Sequence, residues 1–249
     1  MSNLLNLILW LPVIGMIAVL LVPGKKHNTI RYVTLGTTAI TFLLTLVLYS
    51  VFDTAVGGMQ PDLSFKVPWI SQFHIYYSLG VDGISTPMII LTGLLFLICT
   101  LSSWTIEKNV KAYFALMLML QSSVFGVFMA LDFFLFYVYW EVMLLPMFFL
   151  IGIWGGENRE YAAIKFFLYT FFGSIIMLVG IIALYYVTGQ GEDSFNILAL
   201  QGGNFTDLTV NIFGGEFSFE HLFFWAMFLG FAIKVPVFPF HTWLPHAHV

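Results

Sequence analysis

Charge is what this chain has least of. Its 249 residues include 9 lysines and arginines and 13 aspartates and glutamates, so charged residues make up 9%, against about 25% in an ordinary soluble domain. Cysteine is nearly absent. Cys99 stands alone, which excludes a disulfide framework and a thiolate-bound metal cluster. No lysine or arginine precedes the first apolar run, so the positive segment that opens a secretory signal is missing. With a net charge of −4 there is no basic face for a nucleic-acid partner. No CxxC, haem-ligand pair or glycine-rich nucleotide fingerprint occurs, and Gly80-Val81-Asp82-Gly83 is too short to count as one.

What fills the sequence is apolar: 60% of residues are hydrophobic and the mean hydropathy is +0.94. A bilayer-spanning helix needs about 20 such residues. Seven stretches meet that length, near 4–22, 29–52, 83–104, 111–131, 132–153, 161–187 and 220–245. The expected fold is therefore an all-α polytopic membrane protein with about seven transmembrane helices, the seventh broken by its prolines. Punctuation supports the boundaries: Pro23-Gly24, Gly57-Gly58 with Pro61 and Pro68, Gly155-Gly156, and Gly189, Gly191, Gly202 and Gly203. Residues 1–110 hold helices one to three with an external loop at 53–82, and residues 111–249 hold helices four to seven. Within the first loop Phe73–Leu79 is β-prone and suggests a small hairpin. The acidic, glycine-rich stretch at 188–219 reads mainly as an ordinary solvated loop, with Asn211–Gly215 as a candidate turn.

Basic residues fall on alternate connections. Lys25, Lys26 and Arg31 share the first, Lys108 and Lys111 the third, and Arg159 lies in the fifth. The even-numbered connections carry Lys66 alone among seven acids, from Asp53 to Glu216. The positive-inside rule then makes the odd connections cytoplasmic and puts the N-terminus outside.

Three ionised groups fall inside the spans: Glu141, Lys165 and Lys234. Glu141 stands nine residues past Asp132, roughly 14 Å deep at about 1.5 Å per residue, with Tyr137 on its face. Gln121, Ser122 and Ser123 lie at similar depth in the preceding helix. An acid there is either a hydrogen-bonded packing group or a functional one, and intramembrane ionisable residues are functional by default. Lys165 either joins a pathway or snorkels to the cytoplasmic surface, since Glu160 is only five residues away. Lys234 has no such escape. It sits near the middle of its stretch, ahead of Pro236 and Pro239, which have no amides for the carbonyls of Ala232 and Val235. Bare carbonyls beside a buried amine persist at membrane depth only inside protein or along a wet cavity. Opposite charges about 4 Å apart attract by about 4 kcal/mol at an effective dielectric of 20, while desolvation opposes the charged forms. A buried lysine whose distance from Glu141 changes is thus a device for taking up and releasing protons.

His241, in an unbroken helix, would share a face with Lys234 and act as a proton relay; the other reading is a histidine satisfied by a freed carbonyl. His241, His246 and His248 match no zinc spacing and have no cysteine or carboxylate among them, so no metal site is expected. Trp140, Trp154, Trp225 and Trp243 read as packing or lipid-facing groups.

Lys234-Val235-Pro236-Val237-Phe238-Pro239-Phe240-His241-Thr242-Trp243-Leu244-Pro245 resembles the signature of the antiporter-like membrane subunits of respiratory complex I and their Mrp antiporter relatives. Trp140-Glu141-Val142-Met143-Leu144-Leu145-Pro146-Met147 is similar to helix five of one branch of that family. Gly80–Ser85 resembles its entry into helix three, and Ala247-His248-Val249 favours the same branch. The resemblance implies a fourteen-helix subunit with two inverted five-helix repeats, of which this chain would be the front part and 111–249 the first, incomplete repeat. It places Glu141, Lys234 and Lys165 on a proton half-channel driven by electron transfer elsewhere. It also implies a subunit of an H⁺-translocating NADH:quinone oxidoreductase with no redox centre on this chain: NADH, FMN, iron–sulfur clusters and quinone belong to partner subunits. Its partners would be other membrane subunits of the complex and the lipid bilayer, in a bacterial inner membrane. An Mrp-type Na⁺/H⁺ antiporter subunit and a membrane-bound hydrogenase subunit share the scaffold. Two departures stand out: His246 occupies a position where the family usually has aspartate, and the sequence stops before an eighth helix and its lysine.

Overall fold

The computed structural model describes residues 3–248 except 202, 204, 206, 207, 213 and 214. Helices dominate: α1 (Asn3–Leu21), α2 (His27–Ser50), α3 (Ser85–Ser102) and α4 (Val110–Met129) come first. After them come α5 (Phe133–Val142), α6 (Leu144–Trp154), α7 (Arg159–Val187), the short α8 (Ile197–Gln201), α9 (Phe219–Lys234) and α10 (Leu244–His248). With α5 and α6 taken as one span, six helical segments among the described residues are long and apolar enough to cross a membrane. Large apolar side chains such as Leu7, Ile14, Leu21, Ile40, Leu43, Leu91 and Leu168 point outward. A continuous apolar exterior of that kind suits hydrocarbon and not water.

Two of the seven expected stretches are interrupted. The 132–153 stretch breaks at Met143, between α5 and α6. Pro146 has no N–H for the carbonyl of Val142, which accounts for the break. The 220–245 stretch is α9, 16 residues long, ending at Lys234. A non-helical turn, a 3-10 turn at Phe240–Trp243 and then α10 follow.

The helices pack as two groups joined by α4. In one, α1 lies against α4 and α2, and α2 against α3; in the other, α7 lies against α9 and α6. α4 also touches α5 and α6. Close approach of α7 and α9 depends on missing side chains. A Cβ on Gly230 would lie 3.2 Å from the Gly173 carbonyl oxygen, and one on Gly173 would lie 3.0 Å from Ile233 Cδ1. Small residues at such crossings let helices associate where no hydrophobic effect drives them together.

The connections separate onto two ends, as alternating spans require. At one end Arg31 Nη2 donates to the Ile106 carbonyl (2.9 Å), Lys108 Nζ to the Ile153 carbonyl (3.0 Å) and Trp154 Nε1 to the Lys108 carbonyl (2.8 Å). These bonds tie the three basic connections together. At the other end β1 (Phe65–Ile70) and β2 (Ile75–Leu79) form the expected antiparallel hairpin. Gly80 N donates to the Met129 carbonyl (2.8 Å) and Leu131 N to the Ser78 carbonyl (2.9 Å), fastening the hairpin to the end of α4. The 188–219 stretch is more than a solvated loop. It carries α8 and a second hairpin, β3 (Thr209–Ile212) with β4 (Gly215–Ser218), paired Thr209 to Ser218 and Ile212 to Gly215. Thr209 and Val210 favour extended backbone, a short signal submerged in glycine and acid. Part of the candidate turn, at 213–214, lies outside the described residues.

Candidate functional site

The site starts from a cap. Asp132 is buried, and its Oδ1 accepts from the N–H groups of Phe134 (2.9 Å) and Leu135 (3.1 Å). This is the N-cap arrangement that satisfies a helix start. Its Oδ2 accepts from Tyr76 N at 3.0 Å, so one carboxylate fixes both the start of α5 and the edge of β2. Burial pushes the Asp132 carboxyl above its ordinary range, against these three donors, which pull it down. From this anchored start α5 carries Tyr137, Trp140 and Glu141 to the break at Met143.

Glu141 is half-buried, and its Oε1 is buried with no hydrogen-bond partner. Tyr137 is its electrostatic neighbour one turn back, and the polar neighbour of both is Ser174 on α7. The Ser174 hydroxyl itself donates to the Phe171 carbonyl at 3.0 Å.

Lys234, the last residue of α9, reaches across to α5. Its Nζ donates to the Trp140 carbonyl at 2.9 Å and lies 4.0 Å from the centroid of the Trp140 ring. Glu141, the next residue along, acts on it electrostatically, yet there is no hydrogen bond between the two side chains. The pair is thus adjacent and uncoupled by contact: an amine resting on a neutral carbonyl beside an acid with a free oxygen.

The backbone past Lys234 differs from the expectation. The Ala232 carbonyl is not bare, because Val237 N reaches back to it at 2.8 Å. The Ile233 carbonyl accepts from Trp243 Nε1, also at 2.8 Å. Trp243 is buried and so needs a partner for its indole N–H; the freed end of α9 supplies one. Trp243 is therefore a structural latch on the break, where the sequence suggested only packing. The signal was legible: an indole donor a few residues beyond two prolines.

Lys165 and His246 form a second cluster, toward the end of the molecule that carries the basic connections. Lys165 Nζ is 3.5 Å from His246 Nδ1 and 5.8 Å from the ring centroids of both Tyr161 and Tyr169. His246 Nδ1 is closer to the Thr242 carbonyl, at 2.9 Å. A carbonyl only accepts, so Nδ1 carries the proton there and the lysine contact is secondary. Thr242 Oγ1 donates to Tyr169 Oη at 3.1 Å, closing the cluster. A cavity of about 510 Å³ lined by Gly156, Glu157, Asn158, Arg159, Pro245 and His246 opens beside it. Lys165 is nine residues before Ser174, roughly 13 Å along α7, so it does not join Glu141 and Lys234 directly.

His241 is not brought to Lys234. The shared face required an unbroken helix, and the helix ends at Lys234. His241 instead lies in the 3-10 turn, exposed, stacked on Phe238 with ring centroids 5.6 Å apart. Among the other mid-depth groups, Ser122 donates to the Leu9 carbonyl (2.8 Å) and Ser123 to the Met119 carbonyl (2.8 Å), so neither is free. The Gln121 amide is fully buried without a hydrogen-bond partner at either end.

Comparison with known proteins converges on one family. The family model described as NADH:quinone oxidoreductase/Mrp antiporter, TM, matches residues 130–249. The chain is 41% identical over 257 residues to NADH-quinone oxidoreductase subunit M of Rhodobacter capsulatus, covering 100% of this chain and 48% of that protein. It is 38% identical over 240 residues to NADH-ubiquinone oxidoreductase chain 4 of Chondrus crispus, covering 95% and 45%. It thus spans about half the length of the curated relatives it matches. Among solved structures, respiratory complex I from Thermus thermophilus with bound NADH superposes with a TM-score of 0.79 at 27% identity, covering 98% of this chain and 46% of the matched one. The Mrp complex from Dietzia sp. DQ12-45-1b matches with a TM-score of 0.74 at 18% identity, over 99% and 25%, a likeness of fold alone.

Proposed function

We propose that this chain, whose residues 130–249 match the NADH:quinone oxidoreductase/Mrp antiporter family model and which is similar over its full length to a subunit M, forms a proton half-channel in a proton-translocating NADH:quinone oxidoreductase. The observation that carries this reading is Lys234: an amine at a helix break, docked on α5 one residue from the free oxygen of Glu141. Glu141 and Lys234 form the gate. Lys165 extends the path toward the basic end, and His241, exposed past the break, is its surface group. Residues 111–249 are the channel-bearing part, and residues 1–110 flank it.

Electron transfer on partner subunits, which hold NADH, FMN, iron–sulfur clusters and quinone, drives the gate by changing the separation of acid and amine. Closing to about 4 Å favours the ion pair by about 4 kcal/mol at an effective dielectric of 20, roughly three pKa units. Opening removes that support and lets desolvation expel the proton. The subunit lies in a bacterial inner membrane with its basic connections in the cytoplasm and its N-terminus outside.

The test uses the full-length subunit in its assembled complex. Glu141→Gln and Lys234→Ala are expected to abolish the pumping linked to this chain, measured as NADH-driven acidification of membrane vesicles. Electron transfer with uncoupler present should largely persist. Full pumping stoichiometry in Lys234→Ala overturns the proposal. Copurification with only small membrane chains, without flavin or iron–sulfur subunits, overturns the complex I assignment in favour of an Mrp-type antiporter.

A further inference from the structure

Trp140 receives Lys234 twice. Its carbonyl accepts from Nζ at 2.9 Å, and its ring face lies 4.0 Å beneath the same nitrogen. The two contacts make different demands. A carbonyl accepts from a neutral amine as well as from an ammonium, although its bond to the ammonium is the stronger. The negative face of an aromatic quadrupole attracts a cation and offers a neutral amine almost nothing. Together they form a seat that prefers the protonated side chain.

The seat is braced. Trp140 is buried, with Phe136 at 5.6 Å and an interplanar angle of 30°, and Phe231 at 5.3 Å and 85°. Phe231 lies in the last turn of α9 with Lys234, so the helix that delivers the amine also holds the ring that receives it. Lys165 shows what an unbuilt arrangement looks like. Its two rings are each 5.8 Å away, and its nearest hydrogen-bond partner is an imidazole nitrogen at 3.5 Å.

We propose that Trp140 is a positioning residue, a neutral resting station that holds the Lys234 ammonium beside Glu141 and from which the amine moves to pair with the carboxylate. Successive residues of a helix point about 100° apart, so ring and carboxyl are distinct stations reached by rotating one flexible side chain. The station holds the charge on its way to the carboxylate, and the proton is expelled when the amine has left both the carboxylate and the ring. This rests on the function proposed above.

The experiment is a fluorination series at Trp140 in the full-length subunit within the assembled complex, using mono-, di- and trifluorinated tryptophan introduced by codon suppression. Fluorine drains the ring's negative face with little change of shape and leaves the carbonyl in place. The readout is the initial rate of NADH-driven proton pumping divided by electron flow in the same vesicles with uncoupler. A stepwise fall with each fluorine is expected, within the roughly 2- to 30-fold span of a desolvated cation–ring contact. A flat series overturns the station, and loss of assembled complex in Trp140→Leu would then mark the ring as packing alone. Lys234→Ala runs alongside. If it pumps normally, the proton-channel reading fails; if it is dead while the series is flat, only the station fails.

Discussion

The α1–α2–α3 group and the α5–α7–α9 group are both apolar, yet they treat their polar atoms in opposite ways. In α2, Thr34, Thr37, Thr38, Thr41 and Thr45 are buried, and each hydroxyl donates to a carbonyl three or four residues back in its own helix, at 2.7–3.1 Å. The helix runs unbroken for 24 residues, and none of these five hydroxyls is left without an acceptor. Across α4, the helices that carry Glu141 and Lys234 are interrupted beside those residues, the amine rests on a carbonyl of another helix, and one acid oxygen is unpaired. Self-satisfied hydroxyls make a helix inert. Unfinished hydrogen bonding at a break makes it chemical.

The sharpest way to break this contrast is to put a charge where no station exists. Thr38→Lys places an ammonium at a fully buried point of α2 with no facing carboxylate and no helix break. A charge at membrane depth costs at least about 2.5 kcal/mol even on lenient insertion scales, and here it has no dock to offset that. The expected result is severe loss of folded subunit, measured as yield of assembled complex, whereas the native Lys234 is tolerated. Normal assembly of Thr38→Lys would mean that the breaks are not what accommodates charge. Next in size is Gly230→Leu. With the Gly173 carbonyl 3.2 Å from a Cβ, the new side chain must force α7 and α9 apart. Overpacking typically costs 1–3 kcal/mol, and the lost alignment of Lys234 should lower pumping per electron in whatever complex assembles.

Trp243→Phe tests the latch at smaller cost. It keeps an aromatic body against Phe166, now at 5.1 Å, and removes the donor to the Ile233 carbonyl. An acceptor left unsatisfied in the interior costs about 1–3 kcal/mol. Thermal unfolding of the assembled complex should begin at lower temperature at this subunit, and a variant as stable as the parent would show that the break holds itself.

Much of this contrast could be read from residue order, and the unread part has a physical reason. Apolar length located the spans, because lipid sets a minimum that composition must meet. Pro236 and Pro239 announced the interruption after Lys234 through their missing amides, whereas the 132–153 stretch reads as one span and its break at Met143 came as a finding, although Pro146 lacks the same amide. Alternating basic connections anticipated that the odd-numbered ones meet at one end. What sequence spacing could not supply was the rotation after a break. His241 falls on the face of Lys234 only along an intact helix, and once the chain turns at Val235 the count of residues stops reporting direction. The Lys234–Trp140 contact joins residues 94 apart, and no local rule pairs them. The β3–β4 hairpin was hidden for a different reason: four-residue strands carry too little pattern to outweigh a glycine-rich, acidic setting.

The smallest expected effect lies on the quiet side. Thr41 donates to the Thr37 carbonyl at 2.8 Å, an oxygen that an unbroken helix already pairs with a backbone N–H. Thr41→Val keeps the branched shape and deletes only this second bond. Polar side-chain bonds inside membrane proteins average about 0.6 kcal/mol, and a bond to an acceptor that is already satisfied should be worth no more than that. Assembly, thermal onset and pumping should all match the parent closely. A large loss of pumping in Thr41→Val would mean that the α2 hydroxyls take part in proton movement, and the division between an inert bundle and a working one would have to be redrawn.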